Sequence, residues 1–159
     1  VPFALVQLLD SGSLGARDLS SLNNIIFAGE VFPVAKLRQL CELLPEVKFS
    51  NAYGPTETNV CTVHHLDRAT LAGVDVVPIG RPWSLSATRI ENDTGSLVAP
   101  GEVGELLVTG GTLMKGYWER PELNADAFAG REAPAASFIC VVAKTDRSST
   151  GGIGLSWTK

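Results

Sequence analysis

The densest chemistry in the chain lies in one run, Asn51-Ala52-Tyr53-Gly54-Pro55-Thr56-Glu57-Thr58, which holds an amide, an aromatic ring, a Gly-Pro turn, two hydroxyls and a carboxylate. Two readings fit it. In the local one, Gly54-Pro55 turns the chain, Thr56 caps a helix and Glu57 sits in that helix's first turn, where the dipole favours an acid. In the other, the same groups face a nucleotide: Asn51 offers donor and acceptor to a heterocycle edge, and Tyr53 stacks on a base. Thr56, with backbone amides at a helix start, holds a phosphate, and Glu57 gives magnesium a carboxylate. The residues alone leave both open. His64-His65 come without a Ser or Cys nucleophile motif, and the Gly-rich GEVGELLVTGG lacks the Lys-Ser/Thr of a phosphate loop, so it is read as a hairpin.

These groups need a scaffold, and the flanking periodicities supply one. PFALVQLLDSG reads as a helix with Pro2 in its first turn and Gly12 as its stop, and the apolar run Ile25 to Ala28 reads as a buried strand ending at Gly29. Pro33 opens a second helix, in which Val34, Leu37, Leu40, Cys41 and Leu44 share one face. VKFSNAY is the next strand. Strand, helix and strand in this order predict a βαβ unit with a parallel sheet, and place both Ala28-Gly29-Glu30 and Asn51 to Glu57 at strand carboxyl ends, the favoured ligand position. Beyond His65, short segments divided by Gly and Pro predict antiparallel strands, and Pro121 to Phe128 a short helix. The expected division is an α/β segment over 1–66, a β-rich segment over 67–129 and a tail over 130–159 without coherent period.

A length of 159 residues, 45% hydrophobic composition and 19% charged residues describe one globular unit. The net charge of -4, with no Lys/Arg run, argues against nucleic acid or an anionic membrane surface as partner. No apolar run approaches the roughly 20 residues of a membrane span, and the start has no signal-peptide pattern, so the expected compartment is the cytoplasm. The three cysteines and two adjacent histidines lack metal-ligand spacing. The abrupt apolar opening, without an initiator Met, suggests the middle of something larger.

Four segments in order resemble the adenylate-forming (AMP-binding) superfamily: AGE at 28–30, NAYGPTE at 51–57, PIGRP at 78–82 and GELLVTGGTLMKGYWERPELNADAF at 104–128. The wording is most similar to adenylation domains of nonribosomal peptide synthetases. The resemblance implies part of a large N-terminal adenylate-forming domain. It also implies a two-step ligase, in which ATP and an amino acid give an aminoacyl-adenylate and pyrophosphate, and a carrier-protein phosphopantetheine thiol then takes the acyl group. By the same resemblance Gly29, Glu30 and Val31 lie along the adenine, Asn51 and Tyr53 bind and stack it, and Ala52, Gly54 and Pro55 complete the ATP site. Thr56 touches the α-phosphate and, with Glu57, serves catalysis; Glu57 coordinates magnesium. Ile26, Ala28, Ala52, Val60 and Cys61 line a pocket for a compact, uncharged side chain, and ETNVCT resembles stand-alone ligases that load proline.

The family's Ser/Thr/Gly-rich phosphate loop and pocket Asp would precede Val1, and its YRTGD motif and catalytic Lys would follow Phe128. The sequence instead departs from the pattern at about Arg131, which is expected of a wrong-frame or intron read-through translation or a divergent insertion. The piece alone is expected to be inactive. The alternatives are an acyl-CoA or aryl-acid ligase fragment, and a noncatalytic remnant.

Overall fold

In a computed structural model, the structure describes residues 1–128 together with the strands 139–147 and 153–155. Helix α1 (Pro2–Asp10) leads to β1 (Asn24–Ala28), α2 (Val34–Leu43) and β2 (Lys48–Tyr53), followed by β3 (Thr62–His65), a single turn α3 (Arg68–Leu71) and the two-residue β4 (Arg81–Pro82). These strands form one sheet in the order β1-β2-β3-β4. β1 and β2 are parallel, from Asn24 opposite Lys48 to Ala28 opposite Ala52, as the βαβ pattern predicts. β3 returns antiparallel to β2, and β4 is antiparallel to β3. A second sheet, antiparallel throughout, orders β5 (Ser86–Glu91), β6 (Val103–Gly110), β7 (Ile139–Arg147) and β8 (Ile153–Leu155), with α4 (Pro121–Ala127) between β6 and β7. The first sheet thus continues to Pro82, past residue 66. The reading of 130–159 as an aberrant tail concerns residues that, apart from β7 and β8, lie outside the described ones.

Two apolar clusters hold the molecule. In the first, Val34, Leu37, Leu40 and Cys41 of α2 pack with Phe27, Phe49, Val47, Leu71 and Val77, and α1 adds Leu5, Val6 and Leu9 at its margin. Strand alternation explains this membership: Ile25 and Phe27 of β1 share a face with Phe49 and Asn51 of β2, and that face meets α2. The opposite face carries Ile26, Ala28, Ser50 and Ala52. Among the described residues β1 pairs with β2 alone, and Ile26 is 71% exposed while Phe27 is 1% exposed. The second cluster joins the two sheets through Cys61 and Ile79 against Ile90, Val98, Leu106 and Val108. Within the first sheet, Gly80 lets the chain entering β4 lie close on β3, because a Cβ there would fall 2.0 Å from the Val63 carbonyl oxygen.

Two arginines tie α2 to the segment after β3. Arg68 donates to the carbonyls of Cys41 (2.6 Å), Leu44 (2.7 Å) and Val47 (2.9 Å), satisfying the end of α2 with a positive charge where the helix dipole favours one. Arg38 of α2 reciprocates, donating to Leu71, Ala72 and Val74 carbonyls. Removing the Arg68 guanidinium takes a charged donor from three carbonyls, of which Leu44 keeps the Val47 N–H at 3.2 Å. Arg68→Ala should therefore lower stability by about 1–3 kcal/mol, seen as a reduced urea midpoint at unchanged slope; an unaltered midpoint would make this tie superfluous.

Candidate functional site

The parallel register sets the site. Because Ala28 and Ala52 end their strands side by side, the Gly29-Glu30-Val31 turn and the Gly54–Cys61 loop leave the sheet at the same edge. Gly29 takes φ +91° and turns the chain. The Glu30 carboxylate accepts the Phe3 N–H of α1 at 3.2 Å, which joins this turn to α1, and Val31 is half exposed.

No helix starts at Thr56, contrary to the sequence expectation. Residues 56–58 form a turn closed by the Thr58 N–H to the Pro55 carbonyl at 3.1 Å, and the chain re-enters the sheet at Thr62. The reason is the hairpin: the Cys61 N–H donates to the Tyr53 carbonyl at 2.9 Å, so the loop must come straight back rather than wind onward. That return leaves no room beside Gly54, where a Cβ would sit 1.7 Å from the Asn59 carbonyl oxygen. Asn59 adopts φ 55° and its side-chain carbonyl accepts the Val60 N–H at 2.7 Å. Thr58 is fully buried, with its hydroxyl donating to the Asn59 carbonyl at 2.8 Å. Thr56 is exposed at the tip and Glu57 is half-buried.

The expected site residues divide by strand face. Ile26, Ala28 and Ala52 lie together on the face away from α2. Asn51 lies on the other, buried, and its amide donates to the Pro78 carbonyl at 2.9 Å, fastening the PIGRP segment to β2. Val60 is half-buried on the loop, whereas Cys61 joins the core between the sheets and is separate from the Ile26 group. Burial pushes the Cys61 thiol up, so it stands as a neutral wall, not a thiolate. Burial likewise lowers His64, assisted by His65, favouring a neutral imidazole; His65 Nδ1 is 2.8 Å from the Ser50 hydroxyl. A cleft of about 710 Å³ opens beside both histidines, bounded by Leu71, Val77 and Trp83.

Sequence reasoning missed the partners of the loop. The segment after β6 closes on it: the Thr112 hydroxyl donates to the Thr58 carbonyl at 2.7 Å, the Met114 N–H to the Glu57 carbonyl at 2.8 Å, and the Tyr117 hydroxyl to Glu57 Oε1 at 2.5 Å. The hydrogen bond to Glu57 raises the Tyr117 phenol above its ordinary value. TLMKGYW carries these residues, but nothing local in it points to a turn 60 positions away.

The donor set suits magnesium, which commonly takes one or two protein carboxylates and fills its shell with water and phosphate oxygens. Glu57 supplies one such carboxylate at a turn tip, and among the described residues no group of three His, Cys, Asp or Glu side chains forms a protein cage. Among them, too, no helix is long and apolar enough to cross a membrane.

Two outcomes follow from this geometry. Gly54→Ala should cost on the order of 3 kcal/mol or more, because backbone must move to admit the methyl group, and a urea midpoint equal to wild type would refute the close approach. Tyr53 is raised to about 12 from 10.0, first by burial and then by Cys61 and Glu57. Its neutral phenol therefore stabilises the fold fully below pH 10 and progressively less as pH rises through about 12. In Tyr117→Phe, Tyr53 is the sole tyrosine of the chain, and a tyrosinate-absorbance midpoint at the denatured-chain value would contradict its burial.

Comparison with known proteins agrees with this architecture. The model of the AMP-binding enzyme family matches residues 1–118. The L-proline--[L-prolyl-carrier protein] ligase of Streptomyces coelicolor (strain ATCC BAA-471 / A3(2) / M145) is 46% identical over 124 residues, covering 77% of this chain and 23% of that protein. The D-alanine--D-alanyl carrier protein ligase of Streptococcus pyogenes serotype M4 (strain MGAS10750) is 38% identical over 127 residues, 79% of this chain and 25% of that one. The chain thus spans about a quarter of the length of these carrier-protein ligases. The crystal structure of the Vibrio cholerae adenylation domain AlmE, in complex with glycyl-adenosine-5'-phosphate, superposes with a TM-score of 0.84 at 25% identity, covering 100% of this chain and 30% of that one. With three quarters of its length matched by the family model, this α/β chain belongs to the AMP-binding enzyme family.

Proposed function

We propose that the chain is part of an ATP-dependent ligase that adenylates an amino acid and hands it to a carrier protein. The observation that carries this reading is the parallel pairing of Ala28 with Ala52, which sets the Gly29–Val31 turn and the Tyr53–Glu57 loop at one sheet edge. An adenine lies against Gly29, Glu30, Val31 and Tyr53, with Ala52, Gly54 and Pro55 as backbone walls. Asn51 serves the base side from within, by holding the 78–82 segment through Pro78. Thr56, exposed at the turn tip, meets the α-phosphate. Magnesium bound at Glu57 would neutralise phosphate charge while a carboxylate approaches the α-phosphorus. Pyrophosphate leaves from the far side, and the mixed anhydride then yields its acyl group to the carrier's phosphopantetheine thiol with release of AMP.

The pocket for the amino-acid side chain is formed by Ile26, Ala28 and Ala52, with Val60 at its edge, while Cys61 belongs to the inter-sheet core beside it. These residues are uncharged, and an apolar wall selects a compact apolar side chain over a charged one, which would lose its hydration without a partner. Proline fits that description, and the similarity to the prolyl-carrier ligase supports it. We place the reaction in the cytoplasm, where ATP is supplied, and take 1–66 and 67–129 as working divisions of one domain.

Amino-acid-dependent exchange of labelled pyrophosphate into ATP, run on the full-length protein against a panel of acids, tests the reading. Proline or another small apolar amino acid should give the highest rate, and Glu57→Gln should lower it by a factor on the order of 10². Exchange supported by fatty or aryl acids alone would replace this assignment with an acyl-CoA or aryl-acid ligase. Absence of exchange with any acid would leave a noncatalytic remnant.

A further inference from the structure

The hydrogen bond from Tyr117 to Glu57 belongs to a longer relay. Asn124, on α4, grips the backbone of Tyr117 from both sides: its Oδ1 accepts the Tyr117 N–H at 2.6 Å, and its Nδ2 donates to the Tyr117 carbonyl at 3.0 Å. With its main chain so fixed, Tyr117 can place its phenol in few ways, and the hydroxyl reaches Glu57 Oε1 at 2.5 Å. The Glu57 backbone is pinned independently, by Met114 N–H on its own carbonyl and by the Thr112 hydroxyl on the next one. Backbone anchoring alone leaves a glutamate three rotatable side-chain bonds; the Tyr117 hydrogen bond removes most of that freedom.

We propose that Tyr117, braced by Asn124, is a positioning residue that fixes the Glu57 carboxylate so that one oxygen accepts the phenol hydrogen bond and the other is presented to the metal-nucleotide. This rests on the reading of Glu57 as the metal-facing acid. A phenol is well suited to this role, because it donates one strong hydrogen bond without adding the positive charge that a Lys or Arg would bring to compete with the metal. The relay also couples α4 and the second sheet to the loop of the first, since Tyr117 and Asn124 lie beyond β6 while Glu57 follows β2. In metal binding the gain is pre-organisation, because a carboxylate already aimed loses less conformational freedom on coordination.

The test uses the full-length protein with Mn²⁺ standing in for Mg²⁺ and an ATP analogue that is not turned over, and reads bound Mn²⁺ by electron paramagnetic resonance. Tyr117→Phe should weaken Mn²⁺-nucleotide binding on the order of tenfold and leave binding of metal-free nucleotide unchanged, a split that loss of a merely structural contact would not produce. Asn124→Ala should shift the same quantity in the same direction, and combining it with Tyr117→Phe should add nothing. Added to Glu57→Gln, Tyr117→Phe should also have no further effect, because it acts only through that carboxylate. Unchanged Mn²⁺-nucleotide binding in Tyr117→Phe, with Glu57→Gln impaired, overturns the positioning role while sparing the reading of Glu57; so do losses that multiply in the double variant. Unchanged binding in Glu57→Gln overturns the metal-facing reading itself. Thermal unfolding of each variant identifies any that lose the fold, and the two single substitutions at Tyr117 and Asn124 then check one another.

Discussion

The rest of the site depends on how tightly the Gly54–Cys61 loop is folded back on itself. The Asn59 carbonyl occupies the space in which any other residue at 54 would carry its Cβ, and the Tyr53–Cys61 hydrogen bond closes the loop at its base. Folded this way, the loop turns the Glu57 and Thr58 carbonyls toward the second sheet, where Met114 and Thr112 take them. A wider loop would leave those carbonyls to water, and the segment after β6 would lose its seat. The contact between the two halves is therefore polar at the loop and apolar beneath it, where Cys61 and Ile79 enter the inter-sheet core. The polar part fixes position and the apolar part supplies most of the free energy, a division expected from the directionality of hydrogen bonds and the lack of it in hydrophobic burial.

Strand alternation makes the second structural decision. Two neighbours in β2, Asn51 and Ala52, point to opposite sides of the sheet and so belong to different environments. Asn51 is walled in and must satisfy its amide, which it does on Pro78; Ala52 shares the other face with Ile26 and Ala28. The same alternation explains why β1 carries a 71% exposed isoleucine beside a 1% exposed phenylalanine. A one-residue slip of β1 against β2 would bury Ile26 under α2 and expel Phe27, so the register of the candidate pocket and that of the core are set by one constraint.

The elements with a strong period were legible from sequence. The helical face of Val34, Leu37, Leu40 and Cys41 and the βαβ order were plain, because burial of an amphipathic face leaves its spacing in the sequence. The Thr56 turn was not. Thr-Glu after Gly-Pro carries the local marks of a helix start, and what overrides them is the Tyr53–Cys61 closure, a pairing settled by the β2–β3 register rather than by any nearby residue. Nor could Tyr117 and Asn124 be singled out, since their roles arise only when β6 brings the following segment across to the first sheet.

Charge decides what such a site can hold without help. Burial favours the uncharged forms of Cys61, His64 and Tyr53 around the loop, so none of the three brings a counter-charge to an anion. Glu57 adds a carboxylate, and the chain as a whole carries -4. On the proposed reading, an anionic ligand there would draw on short-range groups: amides of the turn, the Thr56 hydroxyl and a cation held by Glu57. In the proposed site a divalent ion would turn the Glu57 carboxylate from a repulsive group into a ligand, so the aim of that carboxylate would matter more than in a site lined with arginine.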